Sequence, residues 1–134
     1  MHGNDLGVVD NSLRELLNKM ENSGIEFAEH PTYGVITTCP TNMGTGKRQS
    51  ILGKFPNISE KGKNEKNLKE LAKSKGLQAR GMGGEHSAMD ENGTADISPL
   101  ARFGVTEAFV ANKLYTGLVE LYKVEQGGSS CVFL

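Results

Sequence analysis

No charge of one sign dominates this chain. Fifteen Lys and Arg stand against sixteen Asp and Glu, so no broad basic field marks it as a nucleic-acid binder. No apolar run approaches the length needed to cross a bilayer, and Met1-His2-Gly3-Asn4 does not open a signal peptide. Cysteine is scarce. Cys39 and Cys131 lie far apart, and although one disulfide could join them, two thiols in a Lys- and Glu-rich chain read more simply as reduced. That reading places the protein in the cytoplasm. Proline is scarce too, with four residues against seventeen glycines. Many of the glycines cluster, and the clusters coincide with the residues that could carry chemistry. At 134 residues, 37% of them hydrophobic, the chain suits one domain with a modest core.

Periodicity divides the chain into elements. Residues 1–10 carry no period and read as a loose arm. Ser12 and Glu15 have the spacing of a capping box, and Leu13, Leu16, Leu17 and Met20 follow on one helical stripe. Asn22-Ser23-Gly24 ends that helix. The β-branched run Tyr33–Thr38 predicts a strand that stops at Cys39-Pro40, and a second short strand is expected near Ser50–Phe55. The charged stretch 59–75, with Leu68, Leu71 and Ala72 at helical spacing, reads as a helix with a solvated face. A strand at Leu77–Arg80 enters a glycine-rich segment at 81–93 that is too polar to pack and is expected to be a mobile loop. A strand at Ala95–Ile97 follows. Thr106 then caps a last helix whose buried stripe is Val110, Leu114, Leu118, Leu121 and Tyr122. The order of elements predicts an α+β domain: a largely antiparallel sheet flanked by helices over 11–126, with a flexible tail at 127–134.

Two glycine loops carry the candidate chemistry. In Thr41-Asn42-Met43-Gly44-Thr45-Gly46-Lys47-Arg48 the pair Gly46-Lys47 fits the end of a phosphate-binding P-loop. Thr41 stands at the first glycine position, however, and Arg48 follows the lysine, so the strict motif fails. What remains is a loop presenting two cations at a strand end, an anion site of another kind or a basic turn in water. Arg80 closes a later strand directly before the second glycine segment. Two arginines at two strand-to-loop junctions suit a polyphosphate, because a guanidinium offers paired donors and keeps its charge. Glu85 adds one carboxylate. Cys39, at a strand end, is either a small buried hydrophobe or a thiol activated by nearby donors. His86 reads as a surface residue. The three histidines share no ligand spacing with Cys39, so no metal site held by protein side chains is expected.

Taken together these segments resemble the phosphagen (ATP:guanidino) kinase family, and the arginine kinases within it. Cys39-Pro40-Thr41-Asn42-Met43-Gly44-Thr45, two further residues and Arg48 follow the family form C-P-[ST]-N-[LMV]-G-T-x-x-R. Leu77-Gln78-Ala79-Arg80-Gly81-Met82-Gly83-Gly84-Glu85-His86 follows L-Q-x-R-G-x-x-G-E-H. The resemblance spans about 11–126 and implies part of a guanidino-kinase, glutamine-synthetase-like catalytic lobe. It implies reversible phosphoryl transfer between ATP and a guanidino acceptor such as arginine, with magnesium held through the nucleotide. Arg48 and Arg80 would hold phosphates, aided by the neighbouring Gln49 and Ser50 and by the segment Gly81, Met82, Gly83 and Gly84. Asp96 would lie towards the nucleotide's sugar. Cys39, Glu85 and His86 would face the guanidino substrate.

Departures from the pattern bear on activity. Leu52 stands where the family's first loop carries a histidine, and Gly83 stands where arginine kinases often carry an arginine. The small N-terminal domain, further phosphate-binding arginines and the principal acidic residue implied by the resemblance have no counterpart before Asn11. The chain is therefore expected to be an incomplete lobe, weakly active or inactive alone, or one that needs a partner chain to supply the remainder. The other reading is a non-catalytic nucleotide- or partner-binding homologue. At the C-terminus, Cys131-Val132-Phe133-Leu134 fits the C-a-a-X prenylation pattern behind a Gly-Gly-Ser-Ser spacer. Either a prenyl group on Cys131 takes the chain to a membrane, or the tail is a chance match.

Overall fold

The computed structural model describes residues 3–83, 87–101 and 103–127. Gly84, Glu85, His86 and Cys131 lie outside the described residues.

The first helix, α1, runs Leu6–Asn22. It opens earlier than the Ser12–Glu15 spacing predicts. Asp5 is the cap, its side chain accepting from the Val8 N–H at 3.1 Å. Ser12 sits within the helix and donates to the Val8 carbonyl at 2.9 Å. Residues 6–10, read from sequence as a loose arm, are thus its first turns. The run Tyr33–Thr38 does not form the strand its composition suggests. A two-residue strand β1 (Glu29–His30) pairs antiparallel with β2 (Gly34–Val35), and Val35 makes one more bridge to Gly44. The rest of the run finds no ladder, and β propensity without a partner strand does not make a strand.

The sheet that organises the domain has the order β3-β5-β4, antiparallel throughout. Its strands are β3 (Ile51–Lys54), β4 (Leu77–Arg80) and β5 (Thr94–Pro99). Helix α2 (Glu65–Ser74) starts under an Asn64 cap that accepts from the Asn67 N–H, and α3 (Glu107–Glu125) starts under the expected Thr106 cap. Side chains alternate across a strand. Leu77 and Ala79 of β4, with Ala95 and Ile97 of β5, therefore enter one core. There they meet Leu68 and Ala72 of α2, and Leu114, Leu118 and Leu121 of α3. Val110 is buried as well, whereas Tyr122 is 39% exposed and lies tilted against Phe55, ring centres 5.0 Å apart.

Two polar locks hold the edges of this core. Glu125, 7% exposed, turns its carboxylate back from the end of α3. It accepts the Asn57 and Ile58 backbone N–H groups at 2.8 and 3.0 Å, and Asn57 Nδ2 returns a bond to the Glu125 carbonyl at 2.9 Å. The second lock is the turn into β5. Gly93 has φ +61°, and a Cβ there would sit 2.6 Å from the Phe55 carbonyl oxygen, besides colliding with the Ser59 hydroxyl. Both the left-handed backbone and the close approach require glycine. Gly93→Ala is expected to lose about 2–4 kcal/mol of unfolding free energy, read from urea melts followed by circular dichroism. A loss below about 1 kcal/mol would show that the turn relaxes freely.

Candidate functional site

The alternation that sends Ala95 and Ile97 into the core turns Asp96 and Ser98 to the opposite face of the sheet. Register then sets their neighbours. Arg80 of β4 lies directly opposite Asp96, Gln78 opposite Ser98, and Leu52 of β3 opposite Asp96 on its other side. Arg48, two residues ahead of Ser50 in the approach to β3, folds over this row. Its Nη2 donates to Asp96 Oδ2 at 2.6 Å and to Ser98 Oγ at 3.3 Å, and its Nη1 donates to Ser50 Oγ at 3.2 Å. Arg80 Nη2 donates to Gln78 Oε1 at 3.0 Å.

The Arg48 and Asp96 side chains are 28% and 24% exposed. A partly desolvated pair with added hydroxyl acceptors is held more firmly than a surface ion pair. Asp96 therefore fixes the plane of the Arg48 guanidinium. Two guanidiniums and one carboxylate share this face and leave a surplus of one positive charge, suited to an anionic ligand that can accept paired N–H donors. The fold puts Arg48, Ser50, Arg80 and Asp96 on one face of the sheet. The sequence does not single out Ser98 and Gln78, although both lie two residues from a candidate on the same strand and the period of two marks them.

Lys47 does not join Arg48 in presenting charge to this face. Its Nζ lies 3.2 Å from Asp10 Oδ1 and 3.1 Å from Glu107 Oε1, and the side chain is 13% exposed. Arg14 binds the same two carboxylates, each at 2.7 Å. Its hydrogen bond, helped by Lys47, holds the Asp10 carboxyl below its ordinary range. Lys47 is thus the tie between α1, the glycine loop and the start of α3. Gln49 lies beside it over a gap of about 160 Å³ that Leu6, Val9 and Leu13 also line.

The glycine-rich segment after Arg80 is anchored at both ends. Gly81 is buried, and a Cβ there would collide with the Ser87 carbonyl, so the chain leaves and returns through a narrow neck. Met82 and Gly83 are exposed between them. On the return, Glu65 at the start of α2 accepts the Met89 N–H at 2.7 Å and the Lys69 ammonium at 2.9 Å. Met89 itself is buried. Asp90 accepts the Thr94 N–H at 2.7 Å and its hydroxyl at 2.9 Å. The Lys69 bond first, then the Met89 N–H, lowers the Glu65 carboxyl; the Thr94 N–H does most to lower Asp90. Within the loop read as mobile from sequence, the stretch 89–93 is therefore fastened by hydrogen bonds. Cys39 is exposed rather than buried, and it stands at the N-cap of the 3-10 turn Pro40–Asn42. Its carbonyl accepts from the Thr37 hydroxyl at 2.7 Å.

Residues 1–127 match the family model described as ATP:guanido phosphotransferase, C-terminal catalytic domain. An arginine kinase of Penaeus vannamei is 39% identical over 124 residues, 92% of this chain and 33% of the relative. A taurocyamine kinase of Schistosoma mansoni is 38% identical over 93% of this chain and 16% of its own length. Among solved structures, the duplicated Schistosoma mansoni taurocyamine kinase with bound transition state analog components superposes with a TM-score of 0.79. It is 38% identical, over 96% of this chain and 17% of that one. A lombricine kinase structure gives 0.70 at 30% identity, over 89% of this chain and 31% of that one. The chain spans about a third of the length of the arginine kinases it matches.

A pH dependence follows from the two lowered carboxyls. Each is more acidic folded than unfolded, so its stabilisation is complete above the ordinary values of 4.5 for Glu65 and 3.8 for Asp90 and is lost as pH falls through the folded values. Urea midpoints should decline on acidification below about pH 4.5. The Glu65→Gln, Asp90→Asn double variant should decline less steeply. Parallel curves for the two proteins would assign the acid sensitivity to other carboxylates.

Proposed function

The chain belongs to the ATP:guanido phosphotransferase family, within its C-terminal catalytic domain, and from that premise we propose that it holds the phosphates of ATP or ADP for reversible phosphoryl transfer to a guanidino acceptor. The observation that carries this reading is the Arg48 guanidinium, clamped by Asp96, Ser98 and Ser50 on the face that Arg80 shares. Phosphoryl transfer asks a protein chiefly for position and for positive charge around the moving group. A guanidinium whose orientation is already fixed gives both without reorganising during the reaction. Asp96 acts here as the residue that aims Arg48, and it partly offsets the charge when no phosphate is bound. Gln49, Ser50 and the backbone of Gly81, Met82, Gly83 and Gly84 complete the nucleotide-binding set. Magnesium would arrive with the nucleotide and offset part of its phosphate charge, with no protein side chain assigned to hold it.

Cys39, exposed and next to Pro40, is assigned to the guanidino side of the site together with Glu85 and His86. The acceptor is arginine or a related guanidino compound. We assign the chain to the cytoplasm, with membrane attachment only through a prenyl group on Cys131; among the described residues no helix is long and apolar enough to cross a membrane.

A second reading is favoured by the extent of the match. A chain that spans about a third of an arginine kinase carries only part of the charge needed around a triphosphate, and loss of one such group can cost orders of magnitude in rate. Leu52, 58% exposed beside Asp96, also gives no hydrogen bond to a base. Alone, the chain therefore acts as a nucleotide-binding lobe with negligible turnover.

Titration calorimetry with MgADP tests the phosphate site. Binding is expected in the wild type, and Arg80→Ala should weaken it at least tenfold, about 1.4 kcal/mol. No heat at millimolar MgADP would overturn the assignment. In a coupled assay with ATP and arginine the chain alone should show no turnover above background; family-like rates would refute the incomplete-lobe reading.

A further inference from the structure

We propose that Asn92 is a self-modification site: its side-chain amide is lost to attack by the Gly93 backbone nitrogen, and the turn built on Asp90 sets the rate. Asn92 is the one asparagine of this sequence that a glycine follows. Glycine has no Cβ to shield its amide nitrogen, so this dipeptide closes to a five-membered ring more readily than any other asparagine pair in the chain. Asparagine is in general among the thermolabile residues of proteins. Asn92 is also exposed, just ahead of β5, where water reaches it. The chemistry needs no nucleotide and stands apart from the phosphate site.

The step balances with water as the sole co-reactant. The Gly93 nitrogen loses its proton and bonds to Asn92 Cγ, the Cγ–Nδ2 bond breaks, and the amide leaves as ammonia with that proton. Water then opens the succinimide. Attack at Cγ leaves an ordinary aspartate. Attack at the main-chain carbonyl leaves an isoaspartate, whose backbone runs on through Cγ.

Asp90 holds the reacting atoms. Its carbonyl accepts the Gly93 N–H at 2.8 Å. Its carboxylate accepts the Asn92 N–H at 3.1 Å and Nδ2 at 3.3 Å. Thr94 fastens the same carboxylate through its N–H at 2.7 Å and its hydroxyl at 2.9 Å. While the turn is closed the nucleophile is engaged and the leaving group tethered, so ring closure draws on the fraction in which the turn is open.

The product reaches the fold. Gly93 is buried, and its carbonyl accepts the Phe55 N–H at 3.1 Å. An isoaspartate adds one carbon to the main chain directly ahead of this seat, where a Cβ on Gly93 would already lie 2.6 Å from the Phe55 carbonyl oxygen. Thr94 is then drawn away from Lys54, the pair at which β5 joins β3.

The test incubates the purified chain at physiological temperature in water enriched in heavy oxygen. Mass spectrometry with electron-transfer fragmentation should find amide loss and label at Asn92 ahead of every other asparagine, as aspartate and isoaspartate together. Asn92→Gln should abolish the signal, and the isoaspartate fraction should unfold at lower urea than the unmodified chain. Unfolding the wild type in guanidinium chloride should speed the loss at least about tenfold. Asp90→Ala in native buffer should speed it at least about fivefold. Loss at Asn92 no faster than at the other asparagines would overturn the site. Equal rates in the folded and unfolded wild type would overturn control by the turn, and that comparison decides the point even where Asp90→Ala fails to fold.

Discussion

The alternation of side chains along β5 is the constraint on which the rest depends. One residue to a face, the strand delivers Ala95 and Ile97 to the core and Asp96 and Ser98 to the polar side. Antiparallel pairing on both edges then fixes which residues of β3 and β4 stand beside them. A slip of one residue would place Asp96 among Leu68, Leu77 and Leu114, an uncompensated charge in an apolar core. Folding energy and site geometry are therefore secured together, because the register that buries Ile97 is the register that aligns Arg80 with Asp96.

Electrostatics on the two sides of Arg48 play different roles. Towards the sheet, Asp96 and the two serine hydroxyls orient it. Towards α1, the adjacent Lys47 is taken up by Asp10 and Glu107. Neighbouring cations in one loop are thus split between a site and a scaffold. A net count of positive charge along the loop overstates what a bound anion would feel.

The elements that were legible in the sequence are those whose pattern is enforced by burial. Thr106 and its helix, the strand Leu77–Arg80 and the pairing of Leu68 with Ala72 on α2 could be read because a core face repeats its period. The start of α1 was not legible, since Ser12 and Glu15 imitate a cap inside a helix that Asp5 already caps. Tyr33–Thr38 was overread for a related reason: strand composition reports a willingness to pair, and only Gly34–Val35 has a partner strand. At the site, the motif arginines were identifiable by type and position. The bond from Arg48 to Asp96 spans 48 residues and depends on register, which no local window contains. The role of Lys47 stayed open between anion site and basic turn, because its partners, Asp10 and Glu107, come from two distant helices.

The Glu125 lock bears on the order in which the chain can be completed during synthesis. The turn at Asn57 and Ile58 receives its acceptors from a residue 67 to 68 positions later. Until the end of α3 has left the ribosome, those amides face water and the stretch between β3 and α2 lacks its fastening. Contacts of such separation are the slow ones to close. The domain therefore reaches its final form only after translation of its last helix.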